Sequence, residues 1–140
     1  MTTHIAFETK IAIVVREDLP TWQKLNLTAF LASGVAHLAP EAVGEPYEDA
    51  DGTKYAPMLG QPVMVFAADA AGLTRSLDRA LSRGIVPAVY TEELFSTGND
   101  VDNRAAVAAV ARADLKLVGI ALHGPRRDVD KITKGLPLHG

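Results

Sequence analysis

Two continuous apolar runs constrain the fold more than any other feature of the chain: Lys10 to Arg16 reads KIAIVVR, and Val63 to Ala68 reads VMVFAA. Neither alternates apolar with polar residues, so each is expected in a strand covered on both faces. A sheet covered twice needs helices above and below it, and the intervening segments can supply them. Glu17, Asp18 and Leu19 form a turn before Pro20, and Asp18 or Thr21 can cap a helix from about Thr21 to Leu38, ended by Pro40. Leu25, Ala29, Ala32 and Ala36 make a stripe along that helix, and its small residues let it approach the sheet closely.

The pattern breaks between Glu41 and Gln61, where EPYEDADGTKYAPM predicts a hairpin excursion near residues 45–58 with its tip at Asp51-Gly52. Asp49 and Asp51 lack the further ligands and distal Glu of a calcium loop. After the VMVFAA strand, Asp69 begins a helix with Leu73, Leu77, Ala80 and Leu81 on one face and Gly84 beyond its end. Ile85 to Tyr90 is a third strand, and its Pro87 favours a sheet edge because proline cannot donate to a ladder. Asn99 or Asp100 caps a helix to about Arg112, Val118 to Leu122 is a fourth strand, and Pro125 opens a last helix with Gly135 near its C-cap. The reading is a single α/β domain over residues 1–140, with helices on both faces of a short, mostly parallel sheet.

Composition excludes several function classes. The chain has no cysteine, which removes thiol nucleophiles, thiolate metal sites and disulfide frameworks and makes a cytoplasmic protein the expectation. Its start, MTTHIAFETK, lacks the basic and apolar regions of a signal peptide, and no apolar window is long enough to cross a bilayer. With 14 Lys and Arg against 17 Asp and Glu, and 6% aromatic residues, nucleic acid ranks below a small molecule as a partner. The four histidines, His4, His37, His123 and His139, have no ligand spacing, so no metal is expected. No serine stands in a strand-to-helix elbow, and no glycine-rich loop follows the first strand, so neither a serine triad nor a nucleotide cofactor is expected.

The opening KIAIVVREDL, with Lys24 in the following helix, and the closing GPRRDVDKITKGLPL resemble the two ends of the type-two peptidyl-tRNA hydrolase family. Nearly the whole chain, including QKLNLTA (Gln23 to Ala29) and the Asp51-Gly52 turn, is similar to a bacterial family of uncharacterised proteins, the domain of unknown function numbered two thousand. The resemblance implies a three-layer α/β/α sandwich with a four-stranded mixed sheet of order 2-1-4-3, the last strand antiparallel, and frequent homodimerisation. The hydrolases carry an Asp-Ala-Gly-Arg-Thr-Gln segment after the third strand. Here Ala88-Val89-Tyr90 runs into Thr91-Glu92-Glu93-Leu94-Phe95, so their catalytic acid has no counterpart and peptidyl-tRNA hydrolysis takes third place.

Four groups of residues could carry chemistry. Arg16, Glu17 and Asp18 end the first strand, where open α/β sheets tend to bind ligands, although Asp18 is also a natural helix cap. Lys24, Asn26 and Thr28 lie early in the first helix, and Asn26 needs a partner if it is buried. Thr91, Glu92 and Glu93 follow the third strand; if that strand is parallel to the first, Glu92 can face Lys24 as an acid and ammonium pair. His123, Lys131 and Thr133 belong to the closing strand and helix, where Gly124, Pro125, Arg126 and Arg127 could hold an anion or simply make a tight turn. An antiparallel fourth strand would put His123 on the rim opposite Arg16.

The leading expectation is a small-ligand-binding or regulatory homodimeric domain, paired through the Ala-rich faces of the first or third helix. The alternative is a hydrolase-like enzyme acting on a small polar or acyl substrate, with Lys24 and Glu92 catalytic and Arg16, Asp18, Asn26 and Thr91 binding.

Overall fold

The computed structural model describes residues 6–140. Its main sheet has the order β4-β1-β6-β5, formed by Val63–Ala68, Thr9–Arg16, Leu117–Pro125 and Ala88–Thr91. The numbers β2 (Tyr47–Glu48) and β3 (Lys54–Tyr55) belong to the two strands of a separate hairpin. β1 pairs parallel with β4 and antiparallel with β6, and β6 pairs antiparallel with β5. The sheet is therefore mixed, with β5 on one edge.

β1 lies between β4 and β6, and its alternate residues feed two cores. Ile11, Ile13 and Val15 pack with Leu27, Leu31 and Val35 of α1 (Thr21–Leu38). Ala12 and Val14 face the other way, toward Leu73 and Leu77 of α2 (Ala70–Ser82) and Val129 and Ile132 of α4 (Arg126–Ile132). Three layers result, and each fully buried Leu, Ile or Val is worth about 1.5–3 kcal/mol relative to exposure. The remaining helix, α3 (Asp100–Ala108), buries none of its residues.

Several boundaries and faces differ from the sequence reading. α1 turns Leu27, Leu31 and Val35 inward; of the expected stripe Leu25 is 69% exposed and Ala29 is exposed, while Ala32 and Ala36 are partly buried. Apolar residues are spread around the helix among Gln23, Lys24, Asn26 and Ser33, so packing rather than periodicity selects its buried side: Leu27 and Leu31 settle over Gly119 of β6, where a Cβ would stand 2.6 Å from Leu27 Cδ1. The residue before α1 is Pro20, and neither Asp18 nor Thr21 caps the helix. On α2, Leu73, Leu77 and Ala80 are buried but Leu81 is partly exposed, and the Asp69 side chain caps the helix by accepting from the Gly72 amide at 2.8 Å. Ile85 to Pro87 stay outside β5, and β6 runs longer than expected. α3 is capped by Asn99 and stops at Ala108 rather than near Arg112, since no buried face rewards its extension.

Among the described residues, no helix is long and apolar enough to cross a membrane.

Candidate functional site

β1 and β4 run parallel side by side, yet α1 leaves the end of β1 for one face of the sheet and α2 leaves the end of β4 for the other. The chain diverges there and leaves a crevice at the strands' carboxyl ends, the ligand position of open α/β sheets. Arg16, Glu17, Asp18, Asp69, Ala70 and Glu92 line a cavity of about 290 Å³ at this place. Glu92 reaches it because β5, antiparallel to β6, runs in the same direction as β1. A register shift between Tyr90 and Thr91 bends the end of β5 just before Glu92.

Arg16 holds the crevice together. Its Nη1 donates to Glu92 Oε1 and its Nε to Asp18 Oδ1, each at 2.6 Å, and its side chain is 17% exposed. The hydrogen bond to Glu92 is the largest cause raising the guanidinium above its ordinary pKa; partial burial opposes it and Asp18 reinforces it. Asp18, one of the two expected caps, is thus a partner of Arg16. Thr91, beside Glu92, is buried with its Oγ1 unpaired by any hydrogen bond among the described residues, a costly arrangement in a packed interior.

The expected Lys24–Glu92 ion pair is not formed: Glu92 is taken by Arg16, and Lys24 enters no salt bridge among the described residues. Asn26 is exposed, and its Oδ1 accepts from the Tyr90 hydroxyl at a long 3.4 Å. Thr28 donates to the Lys24 carbonyl within α1.

The closing group lies elsewhere. Antiparallel pairing sets His123 opposite Ile11, toward the other end of β1 from Arg16, so the first and fourth groups do not form one site. Thr133 is buried and donates to the Val129 carbonyl, while the Lys131 carbonyl lies 3.5 Å from Arg79 in the second half of α2. The start of α4 is used structurally: the Arg126 amide and Nε donate to the Glu8 and Phe7 carbonyls. His4 lies outside the described residues. Among the described residues, no group of three or more His, Asp or Glu is placed to hold a metal ion.

A second recess was missed by the sequence reading. It lies between α1, β5 and α3, beside Tyr90, whose ring packs against Phe30 and Phe95. Burial raises the Tyr90 hydroxyl above its ordinary pKa. The sequence signal was available in the apolar residues of α3, which have no strand to cover.

The fold and its rim define a small open α/β domain with a crevice where the chain diverges. Residues 9–140 match the family described as "Protein of unknown function (DUF2000)", and the chain belongs to that family. A solved structure of a protein of unknown function from Agrobacterium tumefaciens strain C58 is similar at 46% identity, covering 96% of this chain and 100% of that one, with a TM-score of 0.93. No curated protein matches.

Proposed function

We propose that the protein is a small-ligand-binding domain, and that its rim crevice takes a small cationic molecule carrying an amine or guanidinium. One observation carries this reading: a single guanidinium, Arg16, is set among four carboxylates, Glu17, Asp18, Asp69 and Glu92, in one crevice. A cleft lined mainly by one sign of charge concentrates ligands of the other sign. Arg16 occupies one oxygen of Glu92 and one of Asp18, so a ligand ammonium can take the others without breaking the existing bonds.

Calorimetric titration with agmatine and spermidine, set against succinate and inorganic phosphate, tests the reading. Saturable binding of the amines alone is expected, weakened about tenfold by Glu92→Gln, the scale of one hydrogen bond to a charged group. Binding of the anions in place of the amines would overturn it. The hydrolase-like alternative loses its main support because Glu92 pairs with Arg16 instead of Lys24.

A second observation favours homodimerisation. The outer face of α1 carries large apolar side chains beside Asn26, with Trp22 60% exposed and Leu25 69%. Large apolar side chains exposed together on one helix are a candidate contact surface, and a second copy on a two-fold axis can supply the cover. Sedimentation should show a dimer that Leu25→Glu dissociates. A monomeric wild-type chain at about 100 μM would reject this assembly.

A further inference from the structure

The edge strand β5 borders a trough whose walls do not meet. α1 crosses close over β5 because position 34 is glycine; a Cβ there would stand 2.9 Å from the Cβ of Ala88. On the far side α3 stands against the segment after β5 without burying any of its own residues. The space between them is a groove of about 500 Å³, with Phe30, Leu31, Val89, Tyr90, Leu94 and Val107 among its lining residues. That size and apolar character match small-molecule sites, which add a few fixed polar groups to a greasy wall.

Charge and hydrogen bonding narrow the occupant. The charged residues lining the groove are Asp100 and Arg104, and they neutralise one another through a 2.8 Å bond across one turn of α3. The groove therefore carries no net charge, unlike the rim crevice, and the rest of its lining is uncharged, which favours an uncharged occupant over an ionic one. Asn103 also lines it; its Oδ1 is bonded to the Thr97 hydroxyl, while its amide N–H groups have no hydrogen-bond partner among the described residues. The Tyr90 hydroxyl meets Asn26 Oδ1 and the Leu94 carbonyl only at 3.4 Å. β5 has four residues, a short template for an added peptide strand.

We propose that the groove between α1, β5 and α3 binds an uncharged, mostly apolar small molecule carrying one hydrogen-bond acceptor, which the Asn103 amide receives. This site is separate from the rim crevice, and neither proposal depends on the other.

The test uses fluorescence titration of the full chain with prodan, an uncharged naphthalene bearing one ketone, and with the anionic anilinonaphthalene sulfonate. Saturable, blue-shifted prodan binding is expected, with the sulfonate about tenfold weaker or more. Val107→Trp and Ser33→Trp fill the groove from opposite walls. Each should weaken prodan about tenfold or more with an unchanged circular dichroism spectrum, so a folding defect in one leaves the other decisive. Asn103→Leu should remove the preference for prodan over its ketone-free parent, dimethylaminonaphthalene. The proposal is overturned by absent saturation, by equal binding to wild type and both filled variants, or by a prodan signal that appears only as a dimer dissociates on dilution. The last result would make the groove a seat for a second copy.

Discussion

Arg16 joins three parts of the chain that are distant in sequence or direction: the end of β1, the turn before α1, and the segment after β5. The sequence put Arg16 and Asp18 at the carboxyl end of the first strand and brought Glu92 to the same rim only on the condition that the third strand ran in the direction of the first, as β5 does. It then chose Lys24 as the partner of Glu92. That choice depended on the rotation of α1 about its axis, and a helix whose apolar residues are spread around it carries little periodic signal to fix it. Gly119 supplies much of the missing constraint. A Cβ at that position would stand 2.6 Å from Leu27 Cδ1, 2.9 Å from Leu31 Cδ1 and 3.2 Å from the Val14 carbonyl oxygen. The leucine tips can shift, but the carbonyl belongs to the central strand and yields less. Gly119→Ala is therefore expected to cost about 1–3 kcal/mol through overpacking, read as a lower urea midpoint at constant m-value.

Among the elements, the hairpin and α3 depend least on the two cores, and both should respond independently of them. Asp49 organises the hairpin by accepting the Asp51 and Thr53 amides on Oδ1 and the Tyr55 hydroxyl on Oδ2. These bonds, the one from Tyr55 foremost, hold the Asp49 carboxyl below its ordinary value of 3.8. Because the folded pKa is the lower one, the contribution is complete above the unfolded value and is lost as pH falls through the folded value. Tyr55 and Thr53 resonances should therefore move together below the usual carboxylate range while core methyl resonances stay fixed, and Asp49→Ala should abolish that transition. The hairpin was legible from its turn residues. The end of α3 was not, since it depends on packing that never forms. α3 rests on the Asn99 cap and the Asp100–Arg104 pair. Asn99→Ala should remove about 1 kcal/mol from α3 and raise amide exchange there by about fivefold, leaving exchange in α1 and α2 unchanged.

At the scale of the whole molecule, the sheet's two edges are treated differently. The outer edge of β4 is covered by the closing segment: the Ala67 amide donates to the Pro137 carbonyl at 3.0 Å and the His139 amide to the Val65 carbonyl at 2.9 Å. Among the described residues β5 has no such cover within the sheet, and it opens on the groove. Removing residues 137–140 should cost about 1–3 kcal/mol for two backbone bonds and should increase light scattering on heating, as an exposed edge recruits other chains. Unchanged stability and scattering would show that this cover is dispensable. The sequence indicated the layered architecture because its buried strands are continuous apolar runs. It gave no sign of the covering segment, whose two bonds use backbone groups that any residue possesses.

The position of β6 also sets a timetable for synthesis. It lies between β1 and β5, and among the described residues β5 has no other strand partner, yet β6 follows the other strands of this sheet in the chain. β1 and β4 can pair while the chain is still being translated, whereas β5 must wait for Leu117 and the residues that follow it. At roughly 5–20 residues per second that wait is on the order of a few seconds, during which an apolar strand is exposed on an unfinished sheet. For a newborn chain, chaperone capture or premature association is therefore most consequential in the interval between β5 and β6.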